Sequence, residues 1–223
     1  MISYYKLTPI KLGCEVRGID LKTETRKEVI ERIKEDVTEH RMLIFKDQRV
    51  ITGDQQVHIS EWFGEVEDTF YKHEKSPHPK VARISNDPNE GYTGVGRTGW
   101  HIDGTFQYAP NAYSLYYMAS VPKEGATVFA PLTEVIEDLS PEKYAEWDRL
   151  WMVINRRTGP IHPLIYTHPR SKKKWEEGDF IISDNCAVAH EASPETQTSR
   201  SQVGLRVLHR TTVHNPIPPA KTL

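Results

Sequence analysis

Hydrophobic positions in the first third of the chain follow first a helical and then a strand-like pattern. Between residues 25 and 40, apolar side chains recur every three or four positions, and Thr25 with Glu28 forms a capping-box signature at the start. The apolar run at 41–45 is too short for a helix and is typical of a buried strand. The pattern therefore predicts an amphipathic helix followed by a short strand.

Two further helices are predicted from their first residues. Thr52 with Gln55 is a second capping box, and the helix that it opens can end at Gly64. Ser140 followed by Pro141 provides a good N-cap and a good first position for another helix. These features predict helices that decorate a structure otherwise made of strands.

Runs rich in β-branched and aromatic residues dominate the remainder of the chain. They predict strands at 80–84, 99–106, 112–120, 126–130, 179–184 and 203–213. The segment 86–99 is dense in Gly, Asn, Asp and Thr, which predicts a long loop. Short strands in series, with helices at one side, predict a mainly β fold with helices (α+β), either a β-sandwich or a barrel. We find no repeat and no domain boundary, so residues 1–223 are predicted to form a single domain.

Composition and charge exclude several classes of protein. The mean hydropathy of -0.60 and the lack of a long apolar run argue against a membrane protein. The 29 Lys and Arg against 31 Asp and Glu give no field that would attract nucleic acid, and the basic run at 170–174 is interpreted as a solvated loop. Two cysteines and the absence of a leader-like N-terminus predict a reducing, cytoplasmic location. Cys186 stands four residues before His190, so a nucleophile with a base is conceivable, but no cysteine-hydrolase signature surrounds it.

A candidate metal site begins in the segment GWHIDGTF at 99–106. On a strand, His101 and Asp103 would share a face and could both bind one metal ion, although an ordinary histidine beside a surface aspartate is the alternative. His190 follows an apolar strand and a turn, and it is the candidate third ligand. Two imidazoles and one carboxylate leave metal positions open, which is typical of non-haem Fe(II) oxygenases, whereas zinc sites more often close their shell.

Two arginines near the end of the last predicted strand suggest an anion site. Arg206 and Arg210 are four residues apart with Leu208 between them, so both point to one face of a strand. If that face lines a barrel interior, the guanidiniums need anions such as carboxylate, phosphonate or sulfonate. The alternative places both arginines on the solvent face of an edge strand, with Leu205 and Val207 inside.

Taken in order, several segments resemble the TauD/TfdA family of Fe(II)- and 2-oxoglutarate-dependent dioxygenases. These segments are HIDGTF, GATVFA, SDNCAVAH and GLRVLHR, together with the N-terminal PIKLGCEVRGIDL, EHRMLIFKDQRVIT and WFGEVE. The resemblance covers nearly the whole chain. It implies a double-stranded β-helix of the jelly-roll or cupin type, decorated by helices.

The resemblance also implies a site and a reaction. His101, Asp103 and His190 would be the iron ligands and catalytic residues, Thr127 and Arg206 would hold the distal carboxylate of 2-oxoglutarate, and Arg210 would bind a substrate anion. The implied cofactors are Fe(II), 2-oxoglutarate and O₂. The implied reaction hydroxylates an aliphatic C–H of a small anionic molecule, a sulfonate, carboxylate or phosphonate, and releases succinate and CO₂. Neither nucleic acid nor membrane is expected as a partner, and a homo-oligomer is expected by analogy.

The sequence departs from the family in ways that bear on the substrate. Thr69 stands where the taurine-oxidising branch has a histidine, and Arg97 stands where it has an asparagine, which argues against taurine itself. Arg210, Arg97 and Asn86 are therefore the expected substrate contacts. Near 150–157 and 171–175 the sequence is shorter than in family members, and we expect lid-type segments to be missing there; a truly shortened member is the alternative.

Two other functions on the same fold are open from sequence alone. One is a metal-dependent enzyme that performs no oxidation, such as a lyase or hydrolase. The other is a non-catalytic anion-binding protein.

Overall fold

A mainly β architecture is seen in the computed structural model, which describes residues 4–95, 99–153, 159–164, 171–172 and 177–219. The strands in these residues are β1 (Lys6–Pro9), β2 (Cys14–Arg17), β3 (Met42–Phe45), β4 (Ala82–Ser85), β5 (Tyr113–Ser120), β6 (Thr127–Pro131), β7 (Trp151–Val153), β8 (Ile161–Pro163), β9 (Ser171–Lys172), β10 (Phe180–Asp184), β11 (Val188–Ala192) and β12 (Val207–Val213). The α-helices are α1 (Lys27–His40), α2 (Gly53–Glu61), α3 (Glu134–Glu137), α4 (Pro141–Trp147) and α5 (Arg200–Val203), and a 3₁₀ helix spans Pro194–Gln197.

The strands form two sheets of a jelly roll and one small ribbon. The larger sheet has seven strands in the order β1-β2-β3-β10-β5-β12-β4, and the smaller has three in the order β11-β6-β9. Most neighbours are antiparallel, while β2 and β3 are parallel. Strands β7 and β8 pair separately. The predicted mainly β, jelly-roll fold is confirmed.

Both faces of the large sheet are buried, and alternate residues of its central strands pack against different layers. Leu43 and Phe45 of β3 contact the layer that contains α1 and α2. Met42 and Ile44 of the same strand pack toward β6 and β11 of the small sheet. This double burial explains why β3 and β10 are continuous apolar runs in the sequence rather than alternating ones.

The helices begin where capping predicts, with one exception. Thr52 and Gln55 make the reciprocal capping box of α2, and the Ser140 hydroxyl accepts from the backbone N–H of Lys143 at the start of α4. The predicted Thr25–Glu28 box is wrong, because α1 starts after Arg26 without a side-chain cap.

A glutamate replaces the predicted cap at the start of α1. The carboxylate of Glu24 accepts from the backbone N–H groups of Thr25 and Arg26, and from the Arg26 side chain. The predicted end of α2 at Gly64 is also slightly late, since the helix ends at Glu61.

Several predictions concern features that the described residues leave untested. The short joins near 150–157 and 171–175 include residues 154–158 and 173–176, which lie outside the described residues. Within the described parts, no helix is both long and apolar enough to cross a bilayer. The single domain, the cytoplasmic location and the homo-oligomer stay predictions.

Candidate metal centre

The three predicted metal ligands lie together, on two segments that meet side by side. His101 forms an isolated antiparallel bridge with His190 of β11, through backbone N–H···O distances of 3.1 and 2.8 Å. The nitrogen or oxygen atoms that His101, Asp103 and His190 can offer to a metal lie within 4.8 Å of one another. Residues 89 positions apart in the chain therefore form one ligand cluster.

The predicted strand at 99–106 is wrong, although its two candidate ligands are brought together. Only His101 pairs with a neighbour, and the chain turns immediately after Ile102. Gly104 has φ +81°, and a Cβ there would meet Asn111 Oδ1 at 2.2 Å, so this turn requires glycine. The side chains of His101 and Asp103 converge because of the turn and not because of a pleat.

Asp103 is held as a carboxylate inside the protein. Its Oδ2 accepts from the Ser114 hydroxyl at 2.7 Å, and its Oδ1 accepts from Arg210 Nη1 at 2.7 Å. Burial raises the pKa of this carboxyl, but its polar neighbours, above all the Arg210 guanidinium, outweigh burial and bring it to about 2. A charged carboxylate is the form that binds a metal cation.

Both histidines present a ring nitrogen in the form that a metal needs. His101 Nδ1 lies 2.7 Å from the carbonyl oxygen of Gly99, which can only accept, so Nδ1 carries a proton and Nε2 is the nitrogen that could bind a metal. Burial lowers the pKa of His190 to about 3, despite the opposing effect of Asp103. Its Nε2 lies 3.7 Å from Asp103 Oδ2 and 3.3 Å from the Tyr116 hydroxyl.

Arg206 is a buried cation in the cavity beside this cluster. The cavity is lined by His101, His190, Thr127, Arg206, Leu208 and Arg210, among others. Arg206 donates to the Thr127 hydroxyl at 3.3 Å, while its buried Nε has no hydrogen-bond partner. Burial lowers its pKa to about 10, which still leaves it charged at neutral pH. In the part of the chain that the structure describes, no carboxylate pairs with it, so the cavity suits an anion.

The two arginines line one cavity, although Arg206 lies just before β12 and not within it, and the edge-strand alternative is wrong. Arg206, Leu208 and Arg210 line one cavity, and β12 lies between β5 and β4 rather than at an edge. The Arg210 guanidinium also lies 5.6 Å from the centre of the Tyr71 ring. Burial lowers the pKa of Arg210, but Asp103 outweighs burial and raises it above its usual value.

A second pocket adjoins the first at Arg210. It is lined by Asp103, Thr69, Phe70, Tyr71, Phe106 and Arg210, among others. The rings of Phe70 and Phe106 meet at its rim with centroids 5.8 Å apart, and both side chains are exposed. The ligand cluster therefore lies between a cationic cavity and a pocket with an aromatic rim.

Comparison with known proteins decides the family. The profile described as taurine catabolism dioxygenase TauD, TfdA family, matches residues 3–174. The chain belongs to the TauD/TfdA family. As a member it is an Fe(II)- and 2-oxoglutarate-dependent dioxygenase, and the donor set of His101, Asp103 and His190 beside a buried arginine fits that cofactor pair.

Curated relatives of this TauD/TfdA chain carry names that refer to sulfur oxyanions. An alkylsulfatase of Acinetobacter baylyi is 22% identical over 82% of this chain and 77% of its own length. An alpha-ketoglutarate-dependent sulfate ester dioxygenase of Pseudomonas putida is 26% identical over 64% of this chain. An alpha-ketoglutarate-dependent sulfonate dioxygenase of Saccharomyces cerevisiae is 26% identical over 76% of this chain. The matches span only 46% and 47% of the latter two relatives.

Solved structures share the fold of this TauD/TfdA chain. A taurine dioxygenase from Burkholderia xenovorans superposes with a TM-score of 0.76 at 23% identity, over 97% of this chain and 93% of that one. The protein AAD-2, solved with Mn(II) and N-oxalylglycine, superposes with a TM-score of 0.72 at 18% identity, over 97% and 99%. These likenesses establish the fold.

One predicted substrate contact, Asn86, uses its side-chain amide for backbone contacts beside this TauD/TfdA site. The Asn86 amide donates to the carbonyl oxygens of Thr198 and Gly204 and accepts from the backbone N–H of Arg206. These backbone contacts fit a residue that positions the Arg206 segment, in place of the predicted contact with substrate. Arg97 lies outside the described residues.

Other site residues were missed by sequence reasoning. Ser114, Tyr116 and Tyr71 contact the ligand cluster or Arg210 from distant segments, and the sequence carries no local signal for them. The cysteine alternative loses support, because burial raises the pKa of Cys186 to about 11 and keeps the thiol protonated.

Proposed function

We propose that this dioxygenase hydroxylates an aliphatic C–H of a small sulfonate or sulfate ester, with succinate and CO₂ as co-products. The observation that carries the proposal is the buried Arg206, whose charge needs an anion, in the same cavity as His101 and His190. The names of the relatives support sulfur oxyanions as the substrate class.

Each site residue has a role in this proposal. His101, Asp103 and His190 would hold Fe(II), since they offer two neutral imidazoles and a carboxylate. Arg206 and Thr127 would bind the distal carboxylate of 2-oxoglutarate and fix its orientation. The bound iron and 2-oxoglutarate supply the oxidation, in which one O₂ oxygen enters the substrate as a hydroxyl and the other enters succinate.

Arg210 would receive the anionic head of the substrate. It lines both pockets, it is charged, and its contact with Asp103 fixes it beside the ligand cluster. A substrate held there would direct its hydrocarbon part along the second pocket, toward Phe70 and Phe106. The aromatic rim would limit the access of water to the reacting carbon.

Succinate formation tests the proposal directly. Purified protein with Fe(II), 2-oxoglutarate and O₂ would be screened against linear alkane sulfonates and alkyl sulfate esters, with matched carboxylates and phosphonates as competing classes. We expect substrate-stimulated succinate formation that stops on removal of iron. A metal-dependent product formed without O₂ uptake would instead support the lyase or hydrolase alternative.

Cofactor binding can be tested without a known substrate. Anaerobic titration of the apoprotein with Fe(II), and then with 2-oxoglutarate, should give a new visible absorption band. Its loss in His101→Ala would support the ligand assignment, whereas no band despite bound iron would contradict the cofactor pair.

A further inference from the structure

Asn185 is a buried amide that touches the candidate ligand Asp103 only through the main chain. It lies in the turn between β10 and β11, and no part of it is exposed to solvent. Its Oδ1 accepts from the backbone N–H of Asp103 at 2.8 Å, and its Nδ2 donates to the carbonyl oxygen of Asp103 at 2.9 Å. One side chain thus pairs with both backbone groups of Asp103, as a neighbouring strand would.

The same amide ties this turn to the next segment. Nδ2 also donates to the carbonyl oxygen of Asn111 at 2.7 Å, and the backbone N–H of Asn185 donates to Ala112 at 2.9 Å. The N–H of Asn111 returns to the carbonyl oxygen of Asp103 at 3.1 Å. These hydrogen bonds connect the turn at Asp103 with the segment at Asn111 and with the turn at Asn185. They take the place of the regular strand pairing that the turn at Asp103 lacks.

Asn185 also sets where Asp103 lies relative to another ligand. His190 is five residues further along the chain, and its backbone pairs with His101. The bridge therefore joins His101 to β11, while Asn185 joins Asp103 to the turn that leads into β11. These two connections hold the backbones of the three ligands relative to one another, while Ser114 and Arg210 hold the carboxylate of Asp103 itself.

We infer that Asn185 is a positioning residue for the metal site: its amide holds Asp103 at the distance from His101 and His190 that binding of one metal ion requires. This inference rests on the proposed iron site. Some residues orient a metal ligand without touching the metal. Replacing such a residue typically lowers metal affinity by about 10- to 100-fold. Asn185 has the geometry of such a residue although it would not touch the metal.

The test is the affinity of the apoprotein for Fe(II), measured by anaerobic titration calorimetry. Asn185→Ala removes both bonds to the Asp103 backbone. Asn185→Asp keeps the side-chain shape and the acceptor, but in its ionised form the Nδ2 donor becomes an oxygen that faces the carbonyl oxygens of Asp103 and Asn111. The added negative charge would by itself favour Fe(II), so weaker binding in this variant would reflect the lost positioning. For both variants we expect the dissociation constant for Fe(II) to rise about 10- to 100-fold. At saturating Fe(II), the affinity for 2-oxoglutarate should stay close to the wild-type value, because Arg206 and Thr127 are unchanged.

Ser183→Ala provides the matched control. Ser183 is equally buried and lies two residues before Asn185, but its hydroxyl donates to the carbonyl oxygen of Ser114 rather than to Asp103. We expect this variant to lose thermal stability and to keep its Fe(II) affinity within about threefold, since surrounding packing alone does not set ligand spacing.

Each outcome has a separate meaning. Folded Asn185 variants with wild-type Fe(II) affinity would overturn the inference, and so would an equal loss in Ser183→Ala, which would show a general packing effect. If Asn185→Ala does not fold, the Fe(II) affinity of the nearly isosteric Asn185→Asp tests the inference instead. Failure of the wild-type chain to bind Fe(II) would instead overturn the proposed function.

Discussion

At the scale of single residues, Arg206 and Arg210 line the same cavity but differ in what balances their charge. Arg210 is paired with Asp103 at 2.7 Å. Arg206 has the Thr127 hydroxyl, and among the described residues no carboxylate. A buried cation without a counter-ion is costly, so Arg206 has the greater need for an anionic ligand. This difference supports the proposal that the two arginines bind different ligands.

Arg206→Ala should chiefly raise the KM for 2-oxoglutarate. Loss of a charge-assisted pair costs about 2–3 kcal/mol, which corresponds to a rise in KM of roughly 30- to 150-fold. The measurement is succinate formation as a function of 2-oxoglutarate concentration at saturating Fe(II). Arg206→Lys should recover only part of the loss, because an ammonium cannot pair with a carboxylate through two parallel bonds. An unchanged KM in Arg206→Ala would contradict the assignment.

Arg210→Ala should chiefly impair use of the anionic substrate. The variant removes the cation that lies at the junction of the two pockets, so we expect the KM for the sulfonate or sulfate ester to rise by about tenfold or more. Binding of 2-oxoglutarate should change less than in Arg206→Ala. Identical effects of the two variants on 2-oxoglutarate affinity would argue against separate roles.

The candidate site residues were easier to predict from the sequence than the contacts that hold them. His101, Asp103, His190 and Arg206 were all predicted, because their types are rare in apolar surroundings and their order along the chain matches a family. Some of their partners, such as Ser114, were not predicted. Ser114 contacts Asp103 only because β5 runs beneath the turn, and no sequence pattern near Ser114 signals that contact.

At the scale of elements, only one of the two capping boxes predicted from the sequence is present in the structure. The box at Thr52 forms, while the one at Thr25 is displaced by Glu24, whose carboxylate accepts from two consecutive backbone N–H groups. A charged acceptor makes stronger hydrogen bonds than a hydroxyl, and Arg26 fixes its position. The hydrogen bond from the Arg26 side chain lowers the pKa of Glu24 to about 2, against the opposing effect of burial.

Thr52→Ala and Thr25→Ala should therefore differ in stability. We expect Thr52→Ala to lose about 1 kcal/mol of unfolding free energy, as for other N-caps. Thr25→Ala should stay within about 0.5 kcal/mol of the wild type, as is usual for surface positions without a specific contact. Urea unfolding of the three proteins at pH 7 provides the comparison. Equal losses would show that the Thr25 box forms in solution.

Strands with long apolar runs could be predicted from the sequence, whereas elements that depend on tertiary contacts could not. Strands β5, β10 and β12 were found from their runs of apolar residues. Strand β11 was missed, because VAHEA is short and contains two ionisable residues. The segment at 99–106 has strand-like composition, but Gly104 and its contact with Asn111 turn the chain after one pairing.

At the scale of the whole molecule, the large sheet buries a histidine on the face opposite the metal site. His209 of β12 is 6% exposed and packs between the sheet and α2, where Gln56 contacts its backbone. Its Nε2 lies 2.8 Å from Arg83 Nη1, which can only donate, so the ring is neutral with the proton on Nδ1. Burial and then Arg83 lower the pKa of His209 to about 4. Protonation would add a second cation beside Arg83 inside the fold.

Stability should therefore fall as the pH drops from 6.5 towards 4. The unfolded chain takes up a proton on this residue near pH 6.5, while the folded chain resists protonation until about pH 4, so the unfolded state gains protons first. At about 1.4 kcal/mol per pKa unit, the loss from His209 approaches roughly 3 kcal/mol at the acid end of this window. His190 acts in the same direction in the apoprotein, so the contribution of His209 has to be isolated by a variant.

His209→Gln isolates this contribution, because glutamine can still accept a hydrogen bond from Arg83 but does not titrate. Urea midpoints of the two apoproteins would be measured from pH 7 to pH 4.5. The variant should be the less stable protein at pH 7, where it loses ring packing against Tyr117, and the gap should narrow as the pH falls. His58→Gln, at an exposed position of α2, is the control for the exchange of histidine for glutamine itself. A constant gap between His209→Gln and the wild type would mean that the buried ring is protonated as readily in the folded chain as in the unfolded one.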